Sequence, residues 1–231
     1  MVTEQLSIVL ACAAAALVVV LVRNVWLVAR NVVTIAHEGG HALVALLVGR
    51  TLSGVQLHSD TSGVTVSRGK PHGPGMVATT FAGYITPSLV GLGFAALLTA
   101  GKVTALLWTS IVLLAAMLVM VRNAYGVVSI VVTGLVVFAI SRFTTVAVQA
   151  GFAYFFTWFL LFAGIKPIWE LQRKRSRVRS PDSDADQLAR LTRIPGLVWV
   201  FVFGLVAIAA LALSASWLVP FGTLSRVFGT L

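Results

Sequence analysis

The sequence predicts an all-α membrane protein that crosses the bilayer about six to seven times and carries one small cytoplasmic β-hairpin. Three observations predict it. Hydrophobic residues make up 58% of the 231 and charged residues only 10%, whereas a soluble domain carries about 25% charge. Apolar runs long enough to cross a hydrocarbon core of about 30 Å recur along the whole chain, and mean hydropathy is +0.98. Between two of these runs, "TLSGVQLHSDTSGVTVSRGKPHGP" alternates apolar and polar positions around a Gly-containing turn.

In chain order, the first two spans are read at 6–22 and 25–48. The hairpin loop follows at 51–74, with alternating apolar positions at Val55 and Leu57, then Val64 and Val66, flanking "SDTSG". Further spans are read at 76–99, 103–121, 124–140 and 143–165. Gly83 and Pro87 in "AGYITPS" are expected to break or kink the first of these. A polar loop at 166–195 has a basic first half, read as mobile and solvated. Its second half reads as a short helix, with Asp182, Ser183 or Asp184 as N-cap before "ADQLARLT" and Pro195 as the stop. The last span is 196–219. The run at 124–140 is short, and the boundary near Arg142 is soft, which sets the range of six to seven. No internal repeat is visible, and the chain reads as a single membrane-embedded domain over 1–231.

The net charge of +10 does not indicate nucleic acid, because no soluble basic domain is present to hold it. Eight of the 17 Lys and Arg lie between Lys166 and Arg193, beside membrane spans. Counted in alternate loops, twelve fall on one side and five on the other. The positive-inside rule then puts the N-terminus, the hairpin and the 166–195 loop in the cytoplasm and, with seven spans, the C-terminus outside. Basic residues there can also meet anionic lipid head groups. Cys12 is the single cysteine, so no internal disulfide forms. It reads as packed or lipid-facing sulfur, and "MVTEQ" before it lacks the positive charge of a signal peptide.

The second span contains "TIAHEGGHALVALL". Three costly groups, His37, Glu38 and His41, stand within five residues of a membrane helix, and a metal ion is the partner that would justify them. Residues i and i+4 of a helix lie on one face about 6 Å apart. Two imidazoles so placed can share a tetrahedral Zn²⁺. Glu38, next to the first imidazole, is the candidate catalytic base. A zinc-polarised water loses its proton near neutral pH, and a carboxylate can carry that proton to a leaving amine. This is the pattern of a zinc peptidase. Gly39 and Gly40, at the two intervening positions, let another helix or a substrate backbone approach closely.

A catalytic zinc takes three protein ligands. The remaining candidates are Glu4, Asp60, Glu170, Asp182, Asp184, Asp186, His58 and His72. The segment "SPDSDADQLA" and the C-terminal end of the second span are expected on the same side of the membrane.

The stretches "AHEGGHALVALLVGR", "LHSDTSGVT", "FAGYITPSLVG", "RNAYG" and "SDADQLARLT" stand in this order between about 34 and 200. The chain thereby resembles the site-2 protease type of intramembrane zinc metalloprotease, in its bacterial M50-like branch. The resemblance implies a polytopic fold with a metal site inside the membrane near the cytoplasmic face, and proteolysis of membrane-anchored protein substrates. It makes His37 and His41 the zinc ligands and Glu38 the base. Better-known members draw a third ligand from a Leu-Asp-Gly motif, which is absent here. The resemblance carries that role to Asp184, with Asp186 and Asp60 as alternates. Asn123 in "RNAYG" is a candidate donor to an oxyanion, or a helix-start cap. The hairpin could offer an edge strand to an extended substrate or pack as a lid. Two other readings stay open: a metal-transport protein without hydrolysis, and a non-catalytic metal-binding scaffold or chaperone of the same family.

Overall fold

A computed structural model describes residues 2–177 and 183–219; the side chains of 2–5 and 177 lie outside the description, as does Asp182. Eight helices and two strands follow in the order α1 (Val2–Leu21), α2 (Arg23–Leu47), β1 (Thr51–Leu57), β2 (Gly63–Arg68), α3 (Pro74–Thr99), α4 (Val103–Met120), α5 (Ala124–Phe143), α6 (Val146–Arg177), α7 (Asp184–Thr192) and α8 (Gly196–Leu218). The molecule is an all-α multi-pass membrane protein with one small antiparallel hairpin. Among the described residues five helices, α3 to α6 and α8, are long and apolar enough to cross a bilayer.

The first two apolar runs behave differently from the expectation of two separate crossings. α1 and α2 meet at a bend of 101°, where Arg23 and Asn24 interrupt the apolar sequence. Counted as one broken span, the pair raises the total to six. Near-perpendicular helices are not the antiparallel pair that a seven-span reading requires.

The other departure lies in the basic loop. Its first half is not a mobile coil: α6 continues through it to Arg177 as a single helix of 32 residues. At 1.5 Å per residue it runs about 48 Å, well beyond the hydrocarbon core. Its last turns carry Arg173, Lys174 and Arg175 out of the apolar span. The second half forms α7 as the cap pattern predicts. Ser183 accepts from the Asp186 amide, and Arg193 closes the helix in the left-handed conformation.

The hairpin pairs Val55 with Thr65 and Leu57 with Gly63, with a bulge between Leu52 and Gly54. Val55 and Leu57 are buried with Ile35 and Ala42 of α2 and Met117 of α4, so the hairpin is seated on the helix that carries the His-Glu motif. α7 is seated by Ala185 and Leu188, both fully buried among Ile168 and Leu171 of α6 and Phe203 of α8. α3 runs unbroken through Gly83 and Pro87. The use of Gly83 is therefore not to break the helix but to let it pass close to a neighbour, as described next.

Candidate metal centre

α2 carries a polar stripe on one face: Arg30, Thr34, His37, Glu38 and His41 fall at helical spacing. Across from it, α7 presents Asp184 in its first turn. His37 Nε2 and His41 Nε2 are 3.1 Å apart. Asp184 Oδ2 stands 3.3 Å from the first and 3.2 Å from the second. Among the described residues this is the one group of three or more His, Cys, Asp or Glu arranged to hold a metal.

The three atoms fit an ion better than they fit each other. Tetrahedral zinc with ligands at about 2.05 Å separates neighbouring ligand atoms by roughly 3.3 Å, which is the edge length found here. His41 Nδ1 lies 2.7 Å from the Thr79 carbonyl. That carbonyl can only accept, so Nδ1 carries the proton and Nε2 offers its lone pair to the centre of the triangle. Asp184 Oδ2 is buried without a hydrogen-bond donor. A lone pair, a second imidazole nitrogen and a carboxylate converging on one point call for a cation. When those two nitrogens carry protons instead, their charges and hydrogen bonds outweigh the burial that pushes the Asp184 carboxyl up and hold it well below the usual carboxylate range. Asp184 is thus an anion in place, as a ligand must be.

Glycines make this convergence possible. A Cβ on Gly83 would stand 2.3 Å from His41 Nε2 and 2.7 Å from His37 Cε1. One on Gly40 would meet Thr86 Oγ1 at 2.1 Å and the Ala82 carbonyl at 3.0 Å. One on Gly63 would meet Glu38 Oε1 at 2.5 Å. The bare backbones bring α3 against the imidazoles and β2 against the glutamate.

Glu38 is 4% exposed. Its carboxylate accepts a hydrogen bond from Thr65 Oγ1 at 2.6 Å, so β2 fixes its orientation. Tyr84 lies edge-on to His37, with ring centroids 4.8 Å apart, and stacks on Phe203 at 5.0 Å. A polar cavity of about 320 Å³ opens between β2, α3 and α7, reaching Glu38, both histidines and Asp184.

Five other candidates lie elsewhere. Asn123 uses both ends of its amide on the hairpin: Oδ1 accepts from the Leu57 amide at 3.1 Å and Nδ2 donates to the Leu57 carbonyl at 2.6 Å. It acts as a piece of strand on the outer edge of β1, not as a donor aimed at a reacting carbonyl. Asp186 is held by Arg175, whose Nη2 donates at 2.7 Å and Nε at 3.0 and 3.1 Å; these bonds keep its carboxyl below the usual range. Asp60 ties the hairpin turn through Ser62, and His58 and His72 are exposed. The sequence reading missed Thr65 and Thr79, whose types carry no special signal.

A family profile described as Peptidase M50B-like matches residues 10–214. The chain belongs to the peptidase M50B-like family. No curated protein and no solved structure matches it. The M50B-like match takes in α2, the hairpin and α7 together, so both halves of the His/Asp cluster fall inside the family region. Membership makes the protein a peptidase-family member of the site-2 protease type, embedded in a lipid bilayer.

Proposed function

We propose that this M50B-like protein is an intramembrane zinc metalloendopeptidase that hydrolyses peptide bonds of membrane-anchored proteins near the cytoplasmic face. The observation that carries the reading is the triangle of His37 Nε2, His41 Nε2 and Asp184 Oδ2, with edges of 3.1 to 3.3 Å. His37, His41 and Asp184 would hold the ion and leave a fourth position open. Zn²⁺ bound there supplies Lewis acidity, making water acidic near neutral pH and polarising a carbonyl.

The chain's own residues do the rest. Glu38 takes the proton of the attacking water and returns it to the leaving nitrogen. Thr65 holds the carboxylate so that one oxygen is engaged and the other is free for the proton. The Thr79 carbonyl keeps His41 in the ligating tautomer. Asn123 and the Arg122 amide, which donates to the Val55 carbonyl at 2.8 Å, occupy the outer edge of β1. Among the described residues β2 has no strand on its outer edge, and Gly63 to Thr65 line the large cavity beside Glu38. An unwound substrate added to that edge would offer its backbone as an extended strand, the form a peptidase cuts.

The test is zinc stoichiometry and cleavage of a membrane-anchored reporter by the purified protein in liposomes. Wild type is expected to hold one zinc and cleave. Glu38→Gln keeps the zinc and loses cleavage by roughly 10²-fold or more. Asp184→Ala loses the zinc. Bound zinc with no cleavage in wild type would favour the scaffold reading, and readily exchanged metal without cleavage the transport reading.

A further inference from the structure

A second polar cavity, of about 160 Å³, opens from the same His37–Glu38 pair on the other side from Asp184. Arg30, Thr34, Ser62 and Tyr84 line it. Arg30 stands two helical turns before His37 on α2, about 10.5 Å along the axis. A positive charge on this mostly apolar helix calls for a partner.

Its counter-ion is incomplete. Glu170 Oε2 lies 3.5 Å from Arg30 Nη1, beyond ordinary hydrogen-bond length. Glu170 Oε1 already accepts from Trp26 Nε1 at 3.0 Å. Lys166 stands 4.5 Å over the Trp26 ring and donates to the Val20 carbonyl. This cluster therefore holds two cations and one carboxylate. Among the described residues the Arg30 guanidinium makes that one ion pair and donates no hydrogen bond; a third of its side chain is exposed, and it lines the cavity. A planar fork of free N–H groups with a net positive surrounding is suited to a carboxylate, which it can bind in bidentate fashion.

We propose that Arg30 forms a carboxylate-binding subsite, which fixes an acidic side chain or the free C-terminal carboxylate of the substrate. It rests on the peptidase reading given above. An extended peptide advances about 3.3 Å per residue, so the arm of Arg30 meets a group about two or three residues from the bond being cut. The cavity then serves one side of that bond, and the larger cavity toward α7 serves the other.

Equilibrium binding tests this without turnover. Fluorescent apolar peptides are bound to detergent-solubilised Glu38→Gln protein loaded with zinc. They are compared in pairs that differ by Asp against Asn at each position, or by a free-acid against an amidated C-terminus. One pair is expected to differ roughly tenfold or more in Kd, as a charge-assisted hydrogen bond would give. The ratio should fall to near one when Arg30→Gln is added, and persist in part with Arg30→Lys. A response of the Asp/Asn pair names a side-chain carboxylate; a response of the acid/amide pair alone names a chain terminus. Absence of discrimination in every pair, or discrimination that survives Arg30→Gln, overturns the subsite. Zinc content of each variant shows that it is folded. Discrimination that depends on Arg30 in a protein that never cleaves would leave the subsite standing and sink the peptidase.

Discussion

The two faces of α2 are built to opposite requirements. One face carries Arg30, Thr34, His37, Glu38 and His41 and opens on the two polar cavities. The other carries Val32, Ile35, Ala36, Gly39 and Leu43 and closes on a cleft of about 180 Å³ whose walls are almost wholly apolar, with Phe94, Met117 and Leu160 opposite. Glu38 and Gly39 are neighbours in sequence, yet one touches the wet side and the other the dry. Hydrolysis needs water and charge, while the surrounding bilayer excludes both. A single helix separates the two environments, and the glycines on its two faces do different work. Gly40 admits the backbone of α3, whereas Gly39 meets only the flexible end of Met117, with Sδ at 3.2 Å.

Substitutions graded across that boundary test the contrast. The largest effect is expected from Gly83→Ala, because its methyl group would enter the space of both imidazoles. Zinc affinity should fall by roughly 10- to 100-fold or more, the range for disturbing a ligand's support, as read by competition with a chelator. Unchanged affinity would mean that α3 does not set the imidazole positions. Next is Thr65→Val, which removes the bond to Glu38 while keeping the shape. A drop of about tenfold in kcat is expected, with KM and zinc retained. Arg175→Ala frees Asp186 and loosens the start of α7. A few-fold weaker hold on zinc is expected, partly restored by Arg175→Lys, since the fork geometry counts as well as the charge. Smallest is Gly39→Ala on the dry face. Cleavage should stay within about twofold and thermal stability hold or rise slightly, because alanine favours helix by about 1 kcal/mol. If Gly39→Ala were as damaging as Gly83→Ala, the two faces would not differ as described.

The parts of this fold governed by local sequence were legible. Hydropathy marked the spans from α3 to α5 and α8 within a few residues, and the period-two pattern around "SDTSG" marked the hairpin. Ser183 and Pro195 bracketed α7. The places that were not legible depend on what lies across the chain. The sharp turn at Val22 has no proline or glycine to announce it. The basic end of α6 looks solvated, yet it stays helical because Ile168 and Leu171 pack under α7 and Arg175 reaches Asp186. At the candidate metal centre, the nomination of the two histidines and the glutamate rests on one spacing rule. Asp184 had several rivals because no spacing rule connects α7 to α2. The amide of Asn123 suits an oxyanion chemically, and only the position of Leu57 shows where it is used.

In the proposed centre the third ligand would come from α7, separated from α2 by the hairpin and four spans. The cluster can therefore close only after α3 to α6 have assembled and α7 has docked on them. Ion binding is then coupled to completion of the whole bundle. A protein cut short before α7, or one whose late helices are still inserting, would carry His37, Glu38 and His41 without the means to arm them. In the proposed peptidase this layout would leave the centre unarmed until α7 has docked.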